Sequence, residues 1–250
     1  MPAFHHGSVE LAFLDEGQGE PIVLVHGFAS SKEVNWVQPG WVSTLTGADR
    51  RVIALDDRGH GQSSKLYDPA EYHTTKMAGD VRALLDHLEI ERADVMGYSM
   101  GARIAAFLAL EHPVMVRSMV LGGLGMHLID GVGLPESIAE ALEAPSLADV
   151  ADTQGRTFRA FADQTRSDRR ALAACIRGSR QVLTREQAAS IQTPTLIAIG
   201  TKDPIAGSAE KLAAAMPNAR ALPIPGRDHM LAVGDKVFKA GVLEFLRVHA

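Results

Sequence analysis

Short apolar runs separated by helical stretches set the rhythm of this chain. Pro21-Ile22-Val23-Leu24-Val25, Arg51-Val52-Ile53-Ala54-Leu55 and Ala93-Asp94-Val95-Met96 are predominantly apolar with little alternation, the pattern of strands buried on both faces. Val116 to Leu121, Pro194 to Ile199 and Ala219 to Ile224 read the same way. Val9 to Leu14 instead alternates apolar and polar positions, which predicts an edge strand, with a turn over Asp15 to Glu20 behind it. Thr74 to Leu88 places Met77, Val81, Leu84, Leu85 and Leu88 on one helical face; Ala102 to Leu110 and Lys236 to Val248 are further helices. Alternating strands and helices predict an α/β fold: a mostly parallel central sheet, helices on both faces, right-handed crossovers.

Leu124 to Thr193 breaks the rhythm. It carries no strand pattern, and Pro135 to Leu142, Ser146 to Asp163, Ser167 to Arg177 and Thr184 to Ile191 each look helical. That is too long for an ordinary connection. The expected organisation is a core of residues 1–124 and 193–250, with residues 125–192 inserted as a helical cap over the C-terminal edge of the sheet. The arginines of this stretch, Arg156 and Arg159 among them, are balanced by acids such as Asp152 and Asp163, as on a solvated helix face.

Composition narrows the function classes. A formal net charge of −5 offers no electrostatic case for nucleic acid or an anionic membrane. No apolar run approaches the ~18 residues of a membrane span. Met1 to Gly7 lacks the basic and apolar regions of a signal peptide, so a cytoplasmic location is expected. The one cysteine, Cys175, rules out an intrachain disulfide and a cysteine-based zinc site and is expected to be a buried thiol. His5-His6, without a third ligand, is expected to be a solvated terminus rather than a metal site.

The chemistry gathers at strand ends. Gly97-Tyr98-Ser99-Met100-Gly101 lies between a predicted strand and a predicted helix. A Gly-x-Ser-x-Gly in that setting is a nucleophile elbow: a strained turn that exposes the serine hydroxyl, with small residues where strand and helix nearly touch. A serine hydroxyl needs a base, and the base an orienting group. His229, after the sixth of the buried strands, is the expected base. Asp203, after the fifth, is the expected acid, giving the chain order Ser, Asp, His. Asp130 is a rival acid; Asp228 is expected to be structural.

On these residues, and on His26-Gly27-Phe28 and Asp57-Arg58-Gly59-His60-Gly61-Gln62-Ser63, the chain resembles the α/β-hydrolase fold superfamily over essentially its whole length. The resemblance implies Ser99 as nucleophile, His229 as general base and acid, Asp203 as its partner, and an oxyanion hole from the Phe28 and Met100 N–H groups. His26 and His60 are expected to bond loop backbone, Asp57 and Arg58 to pin the loop after the second buried strand, His112 to interact with a helix C-terminus, and Trp36 and Trp41 to pack a connecting segment near the rim.

Met126, Leu128, Phe158, Phe161 and Met230 are expected to line an apolar pocket beside Phe28 and Met100. Arg103, in an apolar helix, needs a partner: an internal loop carboxylate, or the carboxylate of a substrate. Gly97 to Arg103 resembles the menaquinone-pathway synthase of the same superfamily, which acts by elimination on an acidic substrate.

The expected activity is cleavage of short to medium acyl or aryl carboxylic esters, with lactones a further possibility, on a small-molecule substrate, without metal or organic cofactor, and falling at acid pH. Carbon–carbon bond hydrolysis, the elimination, and a hydrolase-like ligand sensor are the alternatives. The oligomeric state is left open.

Overall fold

The computed structural model describes residues 2–131 and 134–249. In chain order the first elements are β1 (Ala3–His6), β2 (Val9–Glu16), β3 (Glu20–Val25), α1 (Trp41–Thr46), β4 (Arg50–Leu55), α2 (Thr74–His87), β5 (Ala93–Tyr98), α3 (Met100–Glu111) and β6 (Val116–Gly122). Five helices follow: α4 (His127–Asp130), α5 (Ser137–Glu143), α6 (Thr153–Gln164), α7 (Arg169–Gly178) and α8 (Arg185–Ser190). The chain then returns as β7 (Thr195–Gly200), α9 (Ala209–Ala215), β8 (Ala219–Ile224) and α10 (Lys236–Val248).

The strands form an 8-stranded sheet in the order β1-β2-β4-β3-β5-β6-β7-β8. β1 and β2 are antiparallel to their neighbours, and every pair from β4 to β8 is parallel. The expected fold class is therefore observed. The chain leaves β3 for β4 on one side and later returns to β5 on the other. The crevice beyond the C-terminal ends of β3 and β5 is thus a topological switch point, where open α/β sheets bind ligands.

Two cores flank the sheet because successive side chains of a buried strand point to opposite faces. Val23, Val25 and Ile53 join Met77, Val81, Ile104 and Phe107 of α2 and α3 on one face. Ile22, Leu24 and Val52 join Trp41, Leu45, Phe238 and Val242 of α1 and α10 on the other. Burying Phe238 alone contributes on the order of 2 kcal/mol. Asp94, polar within an apolar run, accepts from Arg50, Arg117 and Ser118 at the foot of the sheet, so its charge is compensated.

Three expectations need correction. The edge strands are β1 and β8, and Val9 to Leu14 is interior: the region read as a solvated terminus pairs with β2, and His6 Nδ1 lies 2.7 Å from Asp80. Ser146 to Asp163 is not one helix. A turn at Leu147–Asp149 ends in extended backbone, and Asp152 then caps α6 by accepting from Gly155 N. Trp36 and Trp41 are fully buried in the core against α10 rather than near the rim; Trp41 meets the Phe238 ring edge-on and donates to the Val233 carbonyl.

Candidate active site

Ser99 links β5 to α3 at φ 54°, ψ −109°. A non-glycine residue at that φ is strained. The turn is possible because the chain passes closer to itself than side chains permit. A Cβ on Gly97 would lie 2.1 Å from the Gly101 carbonyl oxygen, and one on Gly101 would lie 2.0 Å from that of Val25. The Ser99 N–H donates to the Gly122 carbonyl on β6 at 2.8 Å, anchoring the turn to the sheet. Met100 opens α3, so its N–H is among the helix donors without an intrahelical acceptor, and the helix dipole favours negative charge there.

His229 and Asp203 converge at the C-terminal end of the sheet. His229 Nδ1 is 2.7 Å from Asp203 Oδ2, and the Asp203 side chain is fully buried. The other oxygen, Oδ1, accepts from the N–H groups of Ile205 and Ala206 at 2.8 and 3.1 Å. The carboxylate is thus compensated by two backbone donors and one imidazole. Tyr98, on β5 beneath the site, donates its hydroxyl to the His229 carbonyl at 2.6 Å; burial pushes its phenol well above the ordinary range. Ser99 and His229 face the same cavity, and no direct hydrogen bond joins them among the described residues.

Two cavities meet at Ser99. Phe28 and Ser99 line both. One is apolar, walled by Val34, Phe158, Phe161, Met230 and Val233. The other is walled by Met100, Arg103, Leu134, Ile176 and Arg180. Phe158, Phe161 and Met230, expected as pocket residues, line the apolar cavity. Met126 and Leu128 line neither cavity. Both are buried, because the short helix α4 turns Leu128 into the core and the N–H of Met126 is tied to the Ser208 carbonyl.

Arg103 has no carboxylate partner among the described residues. It donates to the Gln181 carbonyl at 2.6 Å and the His127 carbonyl at 3.4 Å. Burial, and then the nearby Arg180 charge, draw it down to about 10. The loop carboxylate expected for it is absent from its surroundings. Arg180 and Leu134 were not singled out in the sequence, because both come from the helical insertion, where residue pattern gives no spatial register.

The remaining residues are structural. His26 accepts from the Asp57 N–H through Nε2 and donates to its neighbour's carbonyl through Nδ1; His60 donates to the Arg58 carbonyl. Arg58 forks onto Asp80, and Asp228 accepts from Met230 and Leu231 N–H. Asp130 is half exposed and 3.9 Å from Arg185. His112 ends α3 through its own N–H to Leu108. Cys175 is buried, 3.7 Å from the Met100 sulfur, and burial raises its thiol above the ordinary range.

The architecture is a doubly wound sheet with a strained serine turn at its switch point and an imidazole–carboxylate pair at the ends of β7 and β8. Residues 20–168 match the alpha/beta hydrolase fold family, and the chain belongs to it. It is similar to a dihydrolipoyllysine-residue acetyltransferase component of an acetoin cleaving system from Pseudomonas putida, at 33% identity over 92% of this chain and 64% of that protein. It is also similar to a 2-hydroxymuconate semialdehyde hydrolase from Pseudomonas sp. strain CF600, at 37% identity over 54% of this chain and 47% of that protein. The chain therefore matches less than two thirds of the length of these relatives. A hydrolase from Pseudomonas aeruginosa superposes with TM-score 0.80 at 26% identity, covering 98% of this chain and 97% of that one. No described helix is long and apolar enough to cross a membrane.

Proposed function

We propose that the chain is a serine hydrolase that cleaves carboxylic esters through an acyl-enzyme. The observation that carries this reading is a strained serine sharing a cavity with an imidazole whose far nitrogen faces a buried carboxylate. His229 Nε2 takes the proton as Ser99 Oγ attacks the carbonyl carbon. Asp203 holds the tautomer and favours the imidazolium. The Phe28 and Met100 N–H groups receive the oxyanion, each such donor worth about 3 kcal/mol in the transition state. His229 then protonates the leaving alcohol, and water, deprotonated by the same nitrogen, releases the acid. Substrate binding closes the Ser99–His229 gap, as such contacts commonly tighten only in the complex. The insertion between β6 and β7 acts as a cap, since Phe158 and Phe161 of α6 wall the apolar cavity.

Steady turnover of aryl esters of increasing acyl length, and of small lactones, tests the reading. Ser99→Ala should lower kcat by a factor on the order of 10⁶. A variant as fast as the wild type refutes it, and a single burst without turnover favours a ligand sensor.

One observation favours a narrower substrate class. Arg103 and Arg180 line the second cavity, and Arg103 donates only to neutral carbonyls. A half-buried cation with no carboxylate partner among the described residues suits a substrate that brings its own carboxylate. The substrate named for one relative, a hydroxymuconate semialdehyde, is by its name a carboxylate. This supports an anionic acyl compound, whether the bond broken is an ester or the carbon–carbon bond of the alternative reading. A charge-assisted pair of about 1.5–3 kcal/mol predicts that Arg103→Met lowers the preference for an aryl hemisuccinate over the matching aryl butyrate by roughly 10- to 150-fold. An unchanged preference excludes the anionic class.

A further inference from the structure

We infer that His127 is a positioning residue, whose imidazole holds the loop presenting Asp203 to His229; the inference rests on the serine-hydrolase reading above. Asp203 is oriented by the N–H groups of Ile205 and Ala206, so the acid is only as well placed as the segment Ile205 to Ser208. That segment is held from its other side by the chain leaving β6. Gly125 N donates to the Ala206 carbonyl at 2.8 Å and Met126 N to the Ser208 carbonyl at 3.0 Å. His127 adds a side-chain bond to this seam, its Nδ1 lying 2.6 Å from the Ile205 carbonyl oxygen. A carbonyl only accepts, so Nδ1 carries the proton.

The seam is tight. A Cβ on Gly207 would lie 2.8 Å from the His127 ring, so the imidazole fills the space directly over the loop. The Ile205 carbonyl and the Ala206 N–H belong to one peptide: its oxygen is held by His127, and its N–H holds Asp203. Rotation of that peptide carries the acid with it. The carbonyl of His127 in turn accepts from Arg103 at 3.4 Å, which lines the Ser99 cavity. His127 thus joins the arginine of one cavity to the acid behind the imidazole of the other. Its Nε2 makes no hydrogen bond among the described residues, so the ring's bonded work is done at Nδ1.

Three substitutions separate this role from simple packing. His127→Leu removes the donor. His127→Asn keeps an amide N–H near the Nδ1 position, and His127→Gln carries its amide past it. The wild type is first labelled with a fluorophosphonate to count active serines. Failure to label, together with no turnover of any ester, rejects the serine-hydrolase reading itself. With labelling in hand, the Leu and Gln variants should lose roughly 10- to 100-fold in kcat per active serine, the scale of a misplacement near 1 Å, with KM within about threefold. His127→Asn should restore most of kcat. If the Leu variant fails to fold, the Asn–Gln comparison carries the test. Wild-type kcat in the Leu or Gln variant overturns the inference, as does an Asn variant no better than Gln.

Discussion

Replacing His60 with asparagine isolates the cost of the buried imidazole behind Phe28. His60 is 1% exposed, meets the Phe28 ring edge-on with centroids 6.0 Å apart, and lies 5.1 Å from the His26 ring. Its Nδ1–H donates to the Arg58 carbonyl, and its Nε2 has no partner among the described residues. Burial, and then the His26 charge, push it down from 6.5 to about 3. In the unfolded chain the ring titrates at its ordinary value, so between these two pH values the unfolded state binds the extra proton. Stability therefore rises with pH across that window and is lost as pH falls. Between pH 7 and pH 5 the loss from this one group is about 2 kcal/mol.

His60→Asn keeps a donor for Arg58 and cannot titrate. His26, also lowered, acts in the same direction, whereas Asp57, raised by burial, acts oppositely; both remain in either protein and cancel in the comparison. Urea unfolding at about pH 7 and about pH 5 should show the wild type losing about 2 kcal/mol more than the variant. Parallel losses in the two proteins would refute the reasoning.

Other outcomes follow from the same contacts. Gly97→Ala drives a Cβ into the Gly101 carbonyl and should lower stability by about 3 kcal/mol or more, read by thermal unfolding. Lys32→Met leaves the buried Asp56 carboxylate without its cation and should cost about 3–5 kcal/mol in urea, whereas replacing both partners with apolar residues should cost less. Asp203→Asn should reduce kcat by a factor on the order of 10⁴ with the fold intact by circular dichroism, because the imidazole loses its oriented acceptor.

The buried strands were legible because each is a run that no helix of that length could use, and their ends delivered Ser99, Asp203 and His229 in chain order. β1 was not legible. Ala3-Phe4-His5-His6 has one large apolar residue, and its place is set by pairing with β2. α1 and α9 are short and were not marked in the sequence. α5, α7 and α8 of the insertion were legible, whereas α4 and the break before α6 were not, and neither was the packing. Leu134, Ile176 and Arg180 line the cavity through tertiary contact, whereas Met126 and Leu128, near in sequence and apolar, turn inward. Arg103 was legible as a buried charge without a visible counter-ion; that its partners are carbonyls could be read only in three dimensions.

Helix α3 carries Met100 at its first position and Arg103 one turn later. At a rise of about 1.5 Å per residue, the Cα positions of Ser99 and Arg103 are separated along the axis by about 6 Å. Packed against β3, β5 and β6, the helix is a stiff ruler. A molecule gripped at one mark offers a different atom at the other when its backbone is one methylene longer, so the spacing itself becomes a criterion of selection.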